Sequence, residues 1–328
     1  MTDDIPVFTA HDVPDLINTL PILFGFTPED SVVAIATYGP RDRVGFRLRM
    51  DMPAPEHIGP AAAQVVAHLA HQGADGAIVI AVTDKIGVAE RLVPQIERRL
   101  GTIRPVVGAW ADGTRYWTTF EDSDPAGHPY ETSAHHVAVV QAIAGGQEIL
   151  PNRAALAAKL DPVPAPRRAW LDHGAETVAE QIVAALNDRG DLTEAGVGMA
   201  DLAPALEAAV ARRRLTDDQA LRLAAWATIV PVRDALWELI TPDNARDMVG
   251  LWSHVARCAP PSTSAPSLCL AGFASWLSGD GALALTAAER ALAIDPHYPL
   301  AGLLLRLLEG GVPPSAWRPL GEGRRASA

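Results

Sequence analysis

The apolar positions of this chain repeat with two periods. Short β-branched runs alternate with helical stretches as far as about residue 120, and beyond residue 167 only helical spacing remains. Asp12-Val-Pro-Asp15 predicts a helix start. Asp12 is placed to cap it, Pro14 fits the first turn, and Asp15 suits the positive end of the helix dipole. That helix is expected to reach about Leu20, to break before Pro21 and to end against Gly25. Val32 to Tyr38 is a continuous apolar run, Gly39-Pro-Arg-Asp42 a turn, and Arg43 to Met52 alternates. Val44, Phe46, Leu48 and Met50 are expected on one face, with Arg43, Arg47, Arg49 and Asp51 on the other. The two segments predict a β-hairpin.

Downstream of Pro53 and Pro55, Ile58 to Gln72 has helical spacing and stops at Gly73. Ala77 to Val82 is apolar throughout, which predicts a strand covered on both faces. Val88 to Leu100 is a second helix ended by Gly101. Val106 to Trp110 is a strand, and Asp112-Gly113 signals a hairpin into Tyr116-Phe120. The resulting order, β-β-α-β-α-β-β, predicts an α/β domain with a mixed sheet. Its two crossovers imply a parallel three-strand centre with antiparallel strands at the edges.

A polar stretch from Glu121 to Thr132 leads to a helix expected at about Ser133 to Ala144, and Asp161-Pro-Val-Pro-Ala-Pro166 is a second break. These signals divide the chain into an α/β domain at 1–150, a linker at 151–166, an all-α domain at 167–320 and a disordered tail at 321–328. Within the helical part, Ala265 to Tyr298 resembles a tetratricopeptide repeat, a helix pair with small residues where the helices pack closely. Gly272, Ala284, Ala291 and Pro296 sit at the matching relative positions; Leu268 and Ala288 replace the large aromatics usual in that family. One such unit cannot bury its own face. Neighbours are expected from Pro231 to Pro261 and Pro299 to Leu308, giving helix pairs able to hold a protein partner.

Composition narrows the function classes. With 48% hydrophobic residues among 328, the chain has material for two cores, and no apolar run approaches the roughly 20 residues of a membrane span. Its start, Met-Thr-Asp-Asp-Ile-Pro, lacks the pattern of a signal peptide, so a cytoplasmic location is expected. The two cysteines, Cys258 and Cys269, lack metal-type spacing and read as buried thiols. A net charge of −12 argues against nucleic acid, and the short basic clusters Arg212-Arg213-Arg214 and Arg324-Arg325 read as solvated patches.

Several residues are candidates for chemistry. Asp51, Asp84 and Asp112 each stand at the C-terminal end of an expected strand, the edge where open α/β sheets bind ligands. Converging there, they could hold magnesium or manganese for a hydrolase, with Arg47 and Arg49 taking an anion. Asp112 equally suits a turn, and Asp84 equally suits a helix cap. Ser31 lacks the Gly-x-Ser-x-Gly elbow of a serine nucleophile. His68 and His71 lie three apart and His135-His136 are adjacent, with no third ligand at informative spacing. Neither a Gly-x-x-x-x-Gly-Lys loop nor a Gly-x-Gly-x-x-Gly turn occurs, and no cofactor is expected. Trp170, Trp226, Trp237, Trp252, Trp276 and Trp317 all fall in the helical half, as bulky packers or, if exposed, as partner anchors.

Leu23-Phe-Gly-Phe-Thr-Pro-Glu-Asp-Ser-Val-Val33 followed by Leu48-Arg-Met-Asp-Met-Pro53 resembles the signature of an actinobacterial family, domain of unknown function 4192. The resemblance continues through Trp117 to Tyr130, Leu150-Pro-Asn-Arg153 and the helical tail to Trp317. In that family the loop equivalent to Ser123-Asp-Pro125 often carries cysteines; this chain has none there, which sets a metal or redox role for the loop aside. The resemblance implies no activity. The leading expectation is therefore a non-catalytic adaptor or regulatory protein, and the alternative a metal-dependent hydrolase or small-ligand protein using the sheet edge.

Overall fold

A computed structural model describes residues 10–121, 123–132 and 136–318. The chain forms two compact units that divide between Leu156 and Ala157. The first is built on a six-stranded mixed sheet and the second is mostly helical.

Helix α1 (Val13–Phe24) opens as its sequence requires, with the Asp12 carboxylate accepting from the Asp15 N–H at 2.8 Å. It does not break before Pro21 as expected. It runs one turn further to Gly25, which takes the left-handed φ of 73° that ends it. Burial of Ile17 and Leu20 on the core side holds the helix together through the missing proline N–H.

The strands are β1 (Ser31–Tyr38), β2 (Arg43–Asp51), β3 (Gly76–Val82), β4 (Arg104–Ala111), β5 (Arg115–Thr118) and β6 (His128–Pro129). Their spatial order is β2-β1-β3-β4-β5-β6. The crossovers α2 (Ile58–His71) and α3 (Ile86–Glu97) leave β3 and β4 as a parallel pair, but the expected parallel three-strand centre is not formed. Instead β1 lies antiparallel between β2 and β3, in the interior of the sheet. Its sequence explains the place. Seven of its eight residues are buried, a run suited to a strand with layers on both sides, whereas the alternating β2 takes the edge. The two-residue β6 lies beyond the expected strands.

Two cores sandwich the sheet. Val32, Ala34, Ala36, Val79, Ala81 and Trp110 pack under α2 and α3, and Val33, Ile35, Ile78, Ile80 and Ala109 pack under α1. A bulge corrects the expected facing of β2. Between Ile35 and Thr37 on β1, β2 advances from Arg47 to Val44, one residue more. Val44 thereby pairs with Thr37, leaves the side of Phe46, Leu48 and Met50, and is 49% exposed.

Helix α4 (Val137–Ala144) completes this unit; the expected start of that helix at Ser133 falls outside the described residues. The segment expected as a linker contains α5 (Arg153–Ala158), and the division of the units lies inside it.

The second unit comprises α6 (Arg167–Asn187), α7 (Glu194–Val210), α8 (Asp217–Trp226), α9 (Val230–Glu238), α10 (Ala245–Cys258), α11 (Ala265–Leu277), α12 (Gly281–Ile294) and α13 (Pro299–Glu309). Turn chemistry sets several starts, including a capping box of Thr216 with Gln219 at α8 and the Asp280 carboxylate accepting from Leu283 N–H at α12. Its centre is α11, all thirteen of whose residues are buried, packed by α10, α12 and α13. Gly272 permits this closeness. A Cβ there would fall 2.6 Å from Leu304 Cδ2 and 3.1 Å from Ala287 Cβ.

Candidate functional site

Register alone brings the strand ends named above to one edge. Ser31 opens β1 opposite both Asp51 and Val82, and Val82 lies opposite Ala111. Asp51, Asp84 and Asp112 therefore leave or follow the sheet on the same side. Their carboxylates are nevertheless put to separate uses. Asp112 folds back into its own turn, where Oδ1 accepts from Thr114 N–H, Thr114 Oγ1 and Arg115 N–H at 2.7–2.8 Å. Asp51 is ion-paired to Arg49 at 2.6 Å and to Arg153 at 3.5 Å. Asp84 is exposed and does not cap α3. The hydroxyl of Thr83 accepts the Lys85 N–H instead, at 3.0 Å. Among the described residues, no three of His, Cys, Asp and Glu stand together as a set of metal ligands.

What gathers at this edge is a different set, centred on residues the spacing did not single out. Asp30 holds a left-handed φ of 45°, unusual for a residue with a side chain. That turn aims its carboxylate across the strand ends, accepting from Thr83 Oγ1 at 2.7 Å and pairing with Lys85 Nζ at 2.6 Å. The Lys85 ammonium holds the Asp30 carboxyl below its ordinary range. Arg49, only 12% exposed in its side chain, donates from Nε to Ser31 Oγ at 2.9 Å and reaches the Glu29 carbonyl at 3.4 Å. Burial lowers its pKa, the Asp51 carboxylate opposes that, and Arg153 adds to the lowering.

Chemically this is a closed arrangement. The Arg49 donors are taken up by Ser31 Oγ, the Asp51 carboxylate and the Glu29 carbonyl, which is not the disposition of an anion clamp. Arg47 stands two residues back, on an exposed part of β2. Ser31 is fully buried, accepts from Arg49 and donates to the Glu29 carbonyl, with no imidazole or carboxylate among the described residues in the role of base. The lattice fastens the 29–31 turn to the ends of β2 and β3.

Among the described residues, the histidines form no shared site either. His136 Nε2 lies 3.1 Å from Asp15 Oδ1, joining the starts of α1 and α4, and His135 lies outside the described residues. Burial, with the neighbouring His71 charge, lowers the His68 pKa. The thiols are buried. Burial pushes Cys269 up to about 12 and raises Cys258, whose sulfur lies 3.8 Å from His254 Nε2.

The second unit holds a feature of another kind, on α11. Trp237 of α9 meets Phe273 edge-on with ring centroids 5.3 Å apart, and Phe273 meets Trp276 at 5.7 Å. Into this group comes Trp317, 5.0 Å from Phe273 and 5.6 Å from Trp237. Trp317 belongs to no helix. It follows Pro313-Pro314 and a single 3-10 turn over Pro314–Ala316, in a chain turned out of α13 at Gly311, whose φ is 62°. The Trp276 indole N–H donates to the Val312 carbonyl at 2.9 Å. The Trp237 indole N–H is buried and has no acceptor among the described residues.

Composition announced many tryptophans but not which would meet, because Trp237, Phe273 and Trp317 are separated by whole helices. Of the others, Trp226 and Trp252 are fully buried core, the Trp226 indole donating to Asp201 at 2.7 Å. Trp170 is 61% exposed on α6, the helix that also carries a shallow depression lined by Ala179, Glu180, Val183, Ala184 and Asn187.

No helix among the described residues is long and apolar enough to cross a membrane. A family model described as a domain of unknown function (DUF4192) matches residues 14–315. No curated protein matches the chain, and no solved structure does.

Proposed function

The chain belongs to the family described as domain of unknown function DUF4192, which names no reaction, and from its own geometry we propose that it is a non-catalytic adaptor that holds a protein partner through its C-terminal helices. One observation carries this reading. The helical unit presents an aromatic seat on α9 and α11 that receives an indole delivered by a short proline-bearing turn, the way a helical scaffold takes up a peptide. The close α11–α12 pair, with Gly272 against Ala287, suits a tetratricopeptide-like unit whose neighbours are α9–α10 and α13. The sheet unit serves as platform: the carboxylates of Asp51, Asp30 and Asp112 are taken up by Arg49, by Lys85 and by the donors of Asp112's own turn, which weighs against the hydrolase alternative.

Two measurements test the reading together. Tagged protein incubated with extract of its source cells under gentle conditions should retain a partner, keep it in Arg49→Ala, and lose it when Trp237 and Phe273 are both changed to Ala. Loss that follows Arg49→Ala and spares the aromatic variant would sink it. So would a thermal midpoint raised by magnesium, manganese, a nucleotide or a phosphorylated metabolite in wild type and unmoved in Asp51→Ala. A ligand at 100 times its dissociation constant adds about 2.7 kcal/mol, enough to be seen.

A further inference from the structure

We propose that Trp237, Phe273 and Trp276 form a docking seat for a tryptophan carried on a short, proline-bearing turn of a partner protein, and that the chain's own Val312–Arg318 holds this seat as a displaceable occupant. The inference rests on the adaptor reading and gives it an address.

The first argument is the way the occupant is held. Among the described residues, the hydrogen bonds of Pro313–Arg318 run within the segment. Ala316 N–H donates to the Pro313 carbonyl at 2.9 Å, Trp317 N–H to Pro314 at 3.0 Å, and Arg318 Nη1 to Ser315 and Trp317 at 2.7 and 2.8 Å. The body contributes two bonds at Val312, one from the Trp276 indole and one accepted by the Leu307 carbonyl of α13 at 3.1 Å, and the ring contacts around Trp317. The segment therefore departs with its internal bonds intact, unlike a strand, whose removal breaks a ladder.

The second argument is chemical. Prolines fix the backbone of a short turn and lower the cost of ordering it, and an indole offers a large apolar face with few rotatable bonds. The seat answers with ring faces and edges at 5.0–5.7 Å, the spacing of favourable aromatic pairs. The third is the Trp237 indole N–H, buried without an acceptor among the described residues. Buried donors are ordinarily matched, so the present occupant leaves the seat incompletely satisfied. A partner segment that brings a carbonyl to Trp237 gains a bond that Val312–Arg318 does not make. Because the resident is tethered, it competes at an effective concentration on the order of millimolar, which makes the seat selective for segments that bind better than it does.

The test uses the full chain carrying Trp317→Ala, and as a second variant the chain lacking residues 312–328. The probe is a fluorescent, end-blocked peptide with the sequence of Val312–Arg318, read by anisotropy. It should bind both variants at least about ten-fold more tightly than wild type, whose seat is occupied. The same peptide with its tryptophan changed to alanine should bind none of them, and adding Trp237→Ala to the Trp317→Ala chain should abolish binding.

Equal affinity for wild type and Trp317→Ala overturns the proposal, as does no binding to a variant that still melts cooperatively. Loss of the cooperative melt in both variants overturns it too, since the segment is then part of the core. Concentration-dependent dimers of wild type that vanish in Trp317→Ala would give the seat to a second copy's segment and overturn the assignment to a partner. Failure of the peptide leaves extract capture by another helical face standing, whereas failure of the capture leaves the peptide result intact, so the two readings fail separately.

Discussion

Each unit of this molecule is organised around one element buried on every side, but β1 and α11 are covered in different ways. β1 needs its neighbours for hydrogen bonding as well as for packing: β2 and β3 close its backbone along both edges, and α1, α2 and α3 cover its faces. α11 satisfies its backbone internally, so its surroundings have only to be apolar and well shaped. A strand's neighbours are therefore fixed by the ladder, while part of a helix's cover can be exchanged for a similar surface. That difference places stability in the sheet and leaves room for recognition on the helices.

Four substitutions probe this difference between the two elements. Ile35→Ala on β1 empties space in a core that cannot collapse without bending a strand paired on both sides, and should cost about 2–5 kcal/mol in urea unfolding. Gly272→Val drives a side chain into Leu304 and Ala287, and about 1–3 kcal/mol is expected by the same measurement. Trp317→Ala should cost only about 1–2 kcal/mol, because the indole is half-buried on a segment held mainly by ring contacts. A loss as large as that of Ile35→Ala would erase the distinction between a fixed and an exchangeable cover.

The smallest effect concerns Glu97, on α3 above Gly108, where an added Cβ would strike its carboxyl. Burial lifts the Glu97 pKa above 4.5, with the Thr119 hydroxyl pulling the other way. The folded state thus binds this proton more tightly than the unfolded chain. The stabilisation that follows is complete below the unfolded value and lost as pH rises through the folded one. Glu97→Gln should match wild type in acid and become progressively the more stable as the carboxyl ionises. A stability difference that stays flat from pH 4 to 7 would contradict the burial argument.

Much of the sheet was legible because its signals are local. The apolar run of β1, the alternation of β2, the Asp12 cap and the Gly25 stop each act within a few residues. The interior position of β1 was also encoded, in the contrast between its continuous burial and the half-polar β2, but the assumption that crossovers give adjacent parallel strands concealed it. The bulge was not legible, since Gly45 beside Tyr38 marks it only once the pairing partner is known.

The candidate site divides in the same way. Strand-end aspartates could be named from spacing, but whether they converge depends on partners from distant segments. Arg153 comes from α5, and Lys85 is drawn to Asp30 by a left-handed turn. The aromatic seat was the least visible, because its rings come from three separate parts of the helical unit and only packing brings them together.

The placement of β1 between β2 and β3 also bears on how the chain assembles. Its partner β2 follows after a four-residue turn, so that hairpin closes a very short loop, a microsecond event. β3 must then cross by way of α2 and join the free edge of β1, not that of β2. The hairpin thereby offers a template before the first crossover helix has been made, and the slower, long-range pairing proceeds on an edge already in register. During synthesis on the ribosome, the β1–β2 hairpin can organise first and take up β3 as it emerges, and β3 in turn offers its free edge to β4.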